Sequence, residues 1–188
     1  MAGPAAKPRS LKARALQWLA QREHSRVELR RKLLRSLEAD AVRAQRAAAA
    51  AATVEAAASD APVVVDEDDA GARIDETLDW LQSHGYLSEQ RFVESRVHAR
   101  AGRYGNLRIR GELQQHRLVL SDEQARGLQA SEAARAGDVL ARRFAAPPRD
   151  AVERARQVRF LMGRGFSQDA VKAALRSRNA RSSDDTPD

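Results

Sequence analysis

Apolar positions recur at intervals of three and four residues along most of the chain. Leu11, Ala15, Trp18 and Leu19 form one stripe, and Leu29, Leu33 and Leu37 with Leu34 form the next. Ile74, Leu78 and Leu81 follow, then Phe92, Val93 and Val97, and Ile109 with Leu113. The last stripes are Val152, Ala155, Val158 and Met162, and Val171, Ala174 and Leu175. This spacing puts each set on one face of an α-helix. No segment alternates at period two, so the chain is expected to be all-α. Trp18 and Trp80 lie on such stripes and read as core residues.

A second pattern marks the junctions. Leu81-Gln82-Ser83-His84-Gly85-Tyr86-Leu87-Ser88 resembles Leu161-Met162-Gly163-Arg164-Gly165-Phe166-Ser167. Weaker copies run from Leu19 to Ser25 and from Leu113 to Ser121. The shared logic is a helix end, a glycine in the left-handed conformation, and an apolar residue folded back on the last turn. A serine then caps the next helix. Ser25-Arg26-Val27-Glu28 and Ser121-Asp122-Glu123-Gln124 have the capping-box spacing.

These signals give about nine helices in three groups: 10–22, 25–38 and 69–84; 88–103, 105–117 and 121–129; 131–145, 150–164 and 167–178. A three-helix unit has a small core, so neighbouring units must lean on one another. The expected architecture is an elongated, curved array of tandem three-helix repeats at 10–87, 88–130 and 131–178. Residues 1–9 are expected to be a flexible N-terminus. Residues 179–188 carry no apolar anchor and are expected to be a disordered tail.

The first repeat is interrupted by an Ala-rich and acidic insertion at 39–69. From Ala39 to Ala61 the chain is mostly alanine without an apolar stripe. Pro62 then precedes Val63-Val64-Val65 and Asp66-Glu67-Asp68-Asp69. Alanine forms helix but buries little surface, so the insertion reads as a frayed helix or a mobile linker. The acidic cluster suits the positive N-terminal end of the next helix, or could dock on the basic head and mask it.

Composition narrows the function. Aromatics are 4% of the 188 residues, so the core comes mainly from Leu, Val and Ala. Lys and Arg number 33 against 26 acidic residues, for a net charge of +7. The charge is uneven: residues 1–38 carry ten basic and three acidic side chains, whereas 39–87 carry three and ten. Residues 88–118 carry seven and three. Acidic partners are therefore plausible.

The absence of cysteine removes disulfides, thiolate catalysis and Cys-ligated metals. No run is apolar enough to span a bilayer, and Lys7, Arg9, Lys12 and Arg14 break up any signal-peptide core. A cytoplasmic location is expected. There is no Gly-x4-Gly-Lys-Ser/Thr phosphate loop, and Gly163-Arg164-Gly165 lacks a third glycine. His24, His84, His98 and His116 never form an i, i+4 pair. No enzymatic activity, metal or cofactor is expected.

What remains is binding by arginine. Arg96, Arg100 and Arg103 recur at i, i+4 and i+7, and Arg108 and Arg110 follow with Tyr104 between. Cations around an aromatic ring suit phosphate or single-stranded bases. A second candidate is Arg26, Arg30, Arg31 and Lys32 with Arg35. A third is Arg154, Arg156, Arg159 and Arg164, where Glu153 favours self-pairing. The competing reading for each is a solvated helix surface whose Arg stems cover apolar area.

The stretch Arg91-Phe92, Arg96 and Arg100-Ala101-Gly102-Arg103-Tyr104-Gly105-Asn106-Leu107-Arg108-Ile109-Arg110-Gly111-Glu112-Leu113 resembles the signature of the bacterial RecX family. The early Arg22-Glu23-His24-Ser25, the central Gly85-Tyr86-Leu87 and the late Arg164-Gly165-Phe166 agree with it in order and spacing. Arg103 departs from the first glycine of a Gly-Tyr-Gly turn, and Asn106 from a frequent proline. The family has no counterpart for the insertion. The resemblance implies tandem three-helix repeats and a monomeric regulator, without a cofactor, of the RecA recombinase. Such a protein lies in the groove of the RecA filament on single-stranded DNA and inhibits ATP hydrolysis, filament extension and strand exchange. The alternative is a helical protein that binds single- or double-stranded DNA directly and coats it.

Overall fold

A computed structural model describes residues 9–52 and 67–184. Eight helices account for most of them: α1 (Leu11–Leu19), α2 (Arg26–Ala52), α3 (Glu67–Ser83), α4 (Glu89–Ala101), α5 (Asn106–Gln115), α6 (Asp122–Arg143), α7 (Ala151–Gly163) and α8 (Gln168–Asp184). The described residues contain no strand. The chain divides into two compact units, Met1–Phe92 and Val93–Asp188.

In the first unit, Ala15 of α1, Leu29 and Leu33 of α2, and Ile74, Leu78 and Leu81 of α3 meet in one core with Leu87. Trp18 and Trp80 pack against its edge, partly exposed. In the second unit, Ala136, Val139 and Leu140 of α6 pack on Leu161, Phe166, Val171, Ala174 and Leu175. Ile109 and Leu113 of α5 are fully buried.

Three junctions share one geometry. Gly85 (φ 73°), Arg117 (φ 60°) and Gly165 (φ 80°) take the left-handed conformation. The amide of the next residue then bonds back to the last helical turn: Tyr86 to Leu81, Leu118 to Leu113, and Phe166 to Leu161. This is the 6→1 bond that closes a helix C-terminus. Arg117 adopts the same turn without being glycine. The fourth copy, at Leu19–Ser25, has no left-handed residue, and buried His24 takes the place that Phe166 has in the late copy. Ser25, Ser88 and Ser167 accept from backbone amides three residues on, and Ser121 with Gln124 forms a full capping box.

Several boundaries differ from the sequence expectation. The helices expected at 121–129 and 131–145 are one, α6, and Ser131 lies inside it. Its hydroxyl donates to the Gly127 carbonyl at 2.9 Å and the backbone runs on. Of the two readings of the insertion, helix or linker, its first part takes the helical one: α2 continues to Ala52, as alanine's helix propensity allows. The Arg14 guanidinium of α1 holds α2 there through Ser36 and Asp40. The expectations for 53–66 and 1–8 lie outside the described residues.

The tail expected to be disordered from 179 is helical to Asp184, since no glycine or proline interrupts the backbone bonds after Leu175; the last four residues lie outside the described residues. In α7 the buried face is Gln157 and Leu161, while Val152 and Met162 are exposed. Phe160 and Leu161 set that register, not the weaker stripe through Val152.

Candidate functional site

The second unit is assembled where two glycine turns touch. The Gly105 amide donates to the Arg164 carbonyl at 3.0 Å, and the Leu107 amide to the Gly165 carbonyl at 3.1 Å. A Cβ on Gly105 would run into the Gly165 carbonyl and the Phe166 backbone. One on Gly165 would meet the Arg108 backbone nitrogen at 2.7 Å. Gly105 has an ordinary φ of −80°, so it is the close approach that demands glycine there.

Beneath this contact lies a polar pair on α6. Glu132, 1% exposed, accepts from the Asn106 amide at 2.8 Å and from the Ser167 hydroxyl at 2.7 Å. One carboxylate therefore serves the N-terminal ends of both α5 and α8, where helix dipoles favour negative charge. One turn on, Arg135 donates to the Ala101 carbonyl at 3.1 Å and the Tyr104 carbonyl at 3.0 Å, closing the C-terminal end of α4. Burial lowers the Arg135 pKa from its ordinary value, with Glu132 opposing the shift.

On this frame α4, α5 and the end of α7 enclose an open groove of about 820 Å³. Arg96 and Arg100 of α4 and Arg108 and Glu112 of α5 line it, with Leu107 and Met162. Arg100 Nε donates to Glu112 Oε2 at 2.9 Å, and Arg108 Nε lies 3.6 Å from Oε1. The guanidinium carbons of Arg108, Arg100 and Arg164 stand 4.4, 5.6 and 5.9 Å from the Tyr104 ring centroid. These distances are within cation–π range. Leu107 is 59% exposed, so the groove offers apolar as well as basic surface.

Of the residues singled out in the sequence, Arg96, Arg100, Tyr104 and Arg108 come together. Arg103 does not, because α4 stops at Ala101 and the i+7 step falls in an exposed turn. Arg110 lies with Val119 and Leu120 at a separate hollow. The groove is also not free of carboxylate, since Glu112 sits between Arg100 and Arg108.

In the first unit, Arg26 pairs with Asp79 at 2.6 Å and Arg30 with Asp75 at 3.1 Å. Lys32 lies 4.7 Å over the Trp18 ring, and Arg31 is exposed. Burial lowers the Lys32 pKa, with Arg22 adding to the shift. The third sequence cluster disperses: Arg164 joins Tyr104, Arg156 lies over Phe144, and Arg154 and Arg159 are exposed.

Sequence reasoning missed Glu132 and Arg135, whose polar contacts reach up to 35 positions away. It also missed the pairing of Arg108 with Glu112, which the i, i+4 spacing could have shown. Among the described residues no group of His, Asp and Glu could hold a metal ion. No described helix is long and apolar enough to cross a membrane.

Residues 130–175 match the family model for the third three-helix domain of RecX. The chain is 42% identical over 171 residues to the regulatory protein RecX of Ralstonia pickettii, covering 89% of this chain and 87% of that one. It is 43% identical over 173 residues to that of Herbaspirillum seropedicae, covering 90% and 92%. With the regulatory protein RecX of Pseudomonas putida strain GB-1 it shares 38% over 178 residues, covering 92% and 93%.

Proposed function

The chain belongs to the RecX family, and on that premise we propose that it binds RecA and the RecA filament on single-stranded DNA. It inhibits ATP hydrolysis, filament extension and strand exchange, acting as a monomer and without catalysis of its own. The observation that carries this reading is the mixed character of the groove. Three arginines and one carboxylate line it, beside exposed Leu107 and Met162. Phosphates alone would leave the apolar walls unused, whereas a protein surface with acidic and apolar side chains uses both. A filament repeats that surface on every subunit, so weak contacts made by one chain reinforce each other through effective concentration.

The test is a titration of RecA's DNA-dependent ATPase on single-stranded DNA. Inhibition is expected at concentrations of this protein far below that of the DNA. Inhibition that appears only when the protein saturates the strand would overturn the reading and put direct coating of DNA in its place.

A further inference from the structure

We propose that the first unit carries a stacking site for a base of single-stranded nucleic acid, built on Trp80, His84 and Tyr86. The Trp80 and His84 ring centroids are 4.3 Å apart at an interplanar angle of 29°. Those of Trp80 and Tyr86 are 5.7 Å apart at 23°. Lys12 Nζ lies 4.3 Å over the Trp80 ring.

Comparison of two equivalent turns shows why this stack is more than core packing. After Gly165, Phe166 is fully buried and Ser167 caps the next helix. After Gly85 there is one residue more: Leu87 takes the buried place and Ser88 caps. Tyr86 is the surplus residue, 49% exposed, and the turn closes without its ring.

The platform is also held rigid. Arg91 donates to the Gly85 and Tyr86 carbonyls at 2.9 and 3.1 Å and pairs with Glu23 at 2.8 Å. His84 Nδ1 donates to the Trp80 carbonyl at 2.9 Å, which fixes its ring over the indole. An exposed, pre-oriented ring stacked on an indole that carries a lysine is what a splayed base and its phosphate require. Stacking on the rings, with Lys12 over the indole, supplies most of the affinity, so the site shows little base preference and a shallow salt dependence.

The site requires no RecA, and its test contains none. In the full-length Trp18→Phe chain, Trp80 is the remaining indole and reports locally by fluorescence. Oligo(dT) is expected to quench it, and an abasic strand of the same length to quench it at least about tenfold less tightly. Tyr86→Ala should lose the base-dependent part of that affinity and Tyr86→Phe should keep it. Both variants should melt like the parent, since the ring is outside the core. Equal response to abasic and thymidine strands, undiminished affinity of Tyr86→Ala, or no quenching would overturn the proposal.

Discussion

Two arginine-rich stretches look alike in the sequence and differ in what they face. On α2, Arg26 reaches Asp79 at 2.6 Å and Gln82 at 3.3 Å, and Arg30 reaches Asp75, all on α3. These arginines fasten two helices of the first unit together. In the groove of the second unit, Arg100 and Arg108 share a single carboxylate, and with Arg164 they gather at one tyrosine ring. The difference is the supply of carboxylates. Asp40, Asp75 and Asp79 pair with Arg14, Arg30 and Arg26 of the basic head, while 88–118 carries seven basic against three acidic side chains. Arginine density marks where charge is; only the fold decides which charge is already used.

The comparison is broken most severely through the frame of the groove. Gly105→Ala should cost about 3 kcal/mol or more, because its methyl has to displace backbone. It should lower the melting temperature and abolish the groove, while the α2–α3 pairs persist. Glu132→Ala should cost about 2 kcal/mol by stranding the Asn106 and Ser167 amides. Thermal unfolding checks both.

Glu112→Gln sharpens the contrast. It removes the groove's internal competitor for acidic partners and should tighten inhibition of the RecA ATPase about two- to fivefold at low salt. Unchanged or weaker inhibition would mean that Glu112 serves mainly to position the arginines.

The smallest effect lies in the first unit. His24 is 1% exposed, and burial lowers its pKa below the ordinary 6.5 more than Glu28, 3.2 Å away, raises it. The unfolded chain therefore takes up a proton that the folded chain resists. Stability is full above about pH 6.5 and declines as the pH falls toward the folded value. His24→Gln should flatten the melting temperature across that window.

Much of the helical architecture could be read from short-range signals. The glycines at 85 and 165 and the serines at 25 and 121 mark helix ends because their chemistry is local, an available φ or a hydroxyl within reach of an amide. The break expected between 129 and 131 does not exist, and the Ser131 hydroxyl bonds backward inside a continuous helix. Alanine propensity carried α2 past the last residue that packs. In α7 two apolar registers competed, and only packing on α6 and α8 chose Leu161 over Met162. The groove was half legible. The Arg96 and Arg100 spacing showed one wall, but Gly105 against Gly165 and Glu132 against two helix ends are long-range contacts with no local trace. Arg26 and Arg30 read as a free basic face for the same reason, since Asp75 and Asp79 lie roughly 50 positions on.

The most direct test of the central claim, that the groove and not the α2 face meets the RecA filament, is inhibition of DNA-dependent ATP hydrolysis by two charge reversals. Arg100→Glu/Arg108→Glu should raise the half-inhibitory concentration at least about tenfold while the fold persists. Arg26→Glu/Arg30→Glu should leave it within about twofold and lower the melting temperature instead. Loss of inhibition from the α2 reversal, with the groove reversal inert, would contradict the account.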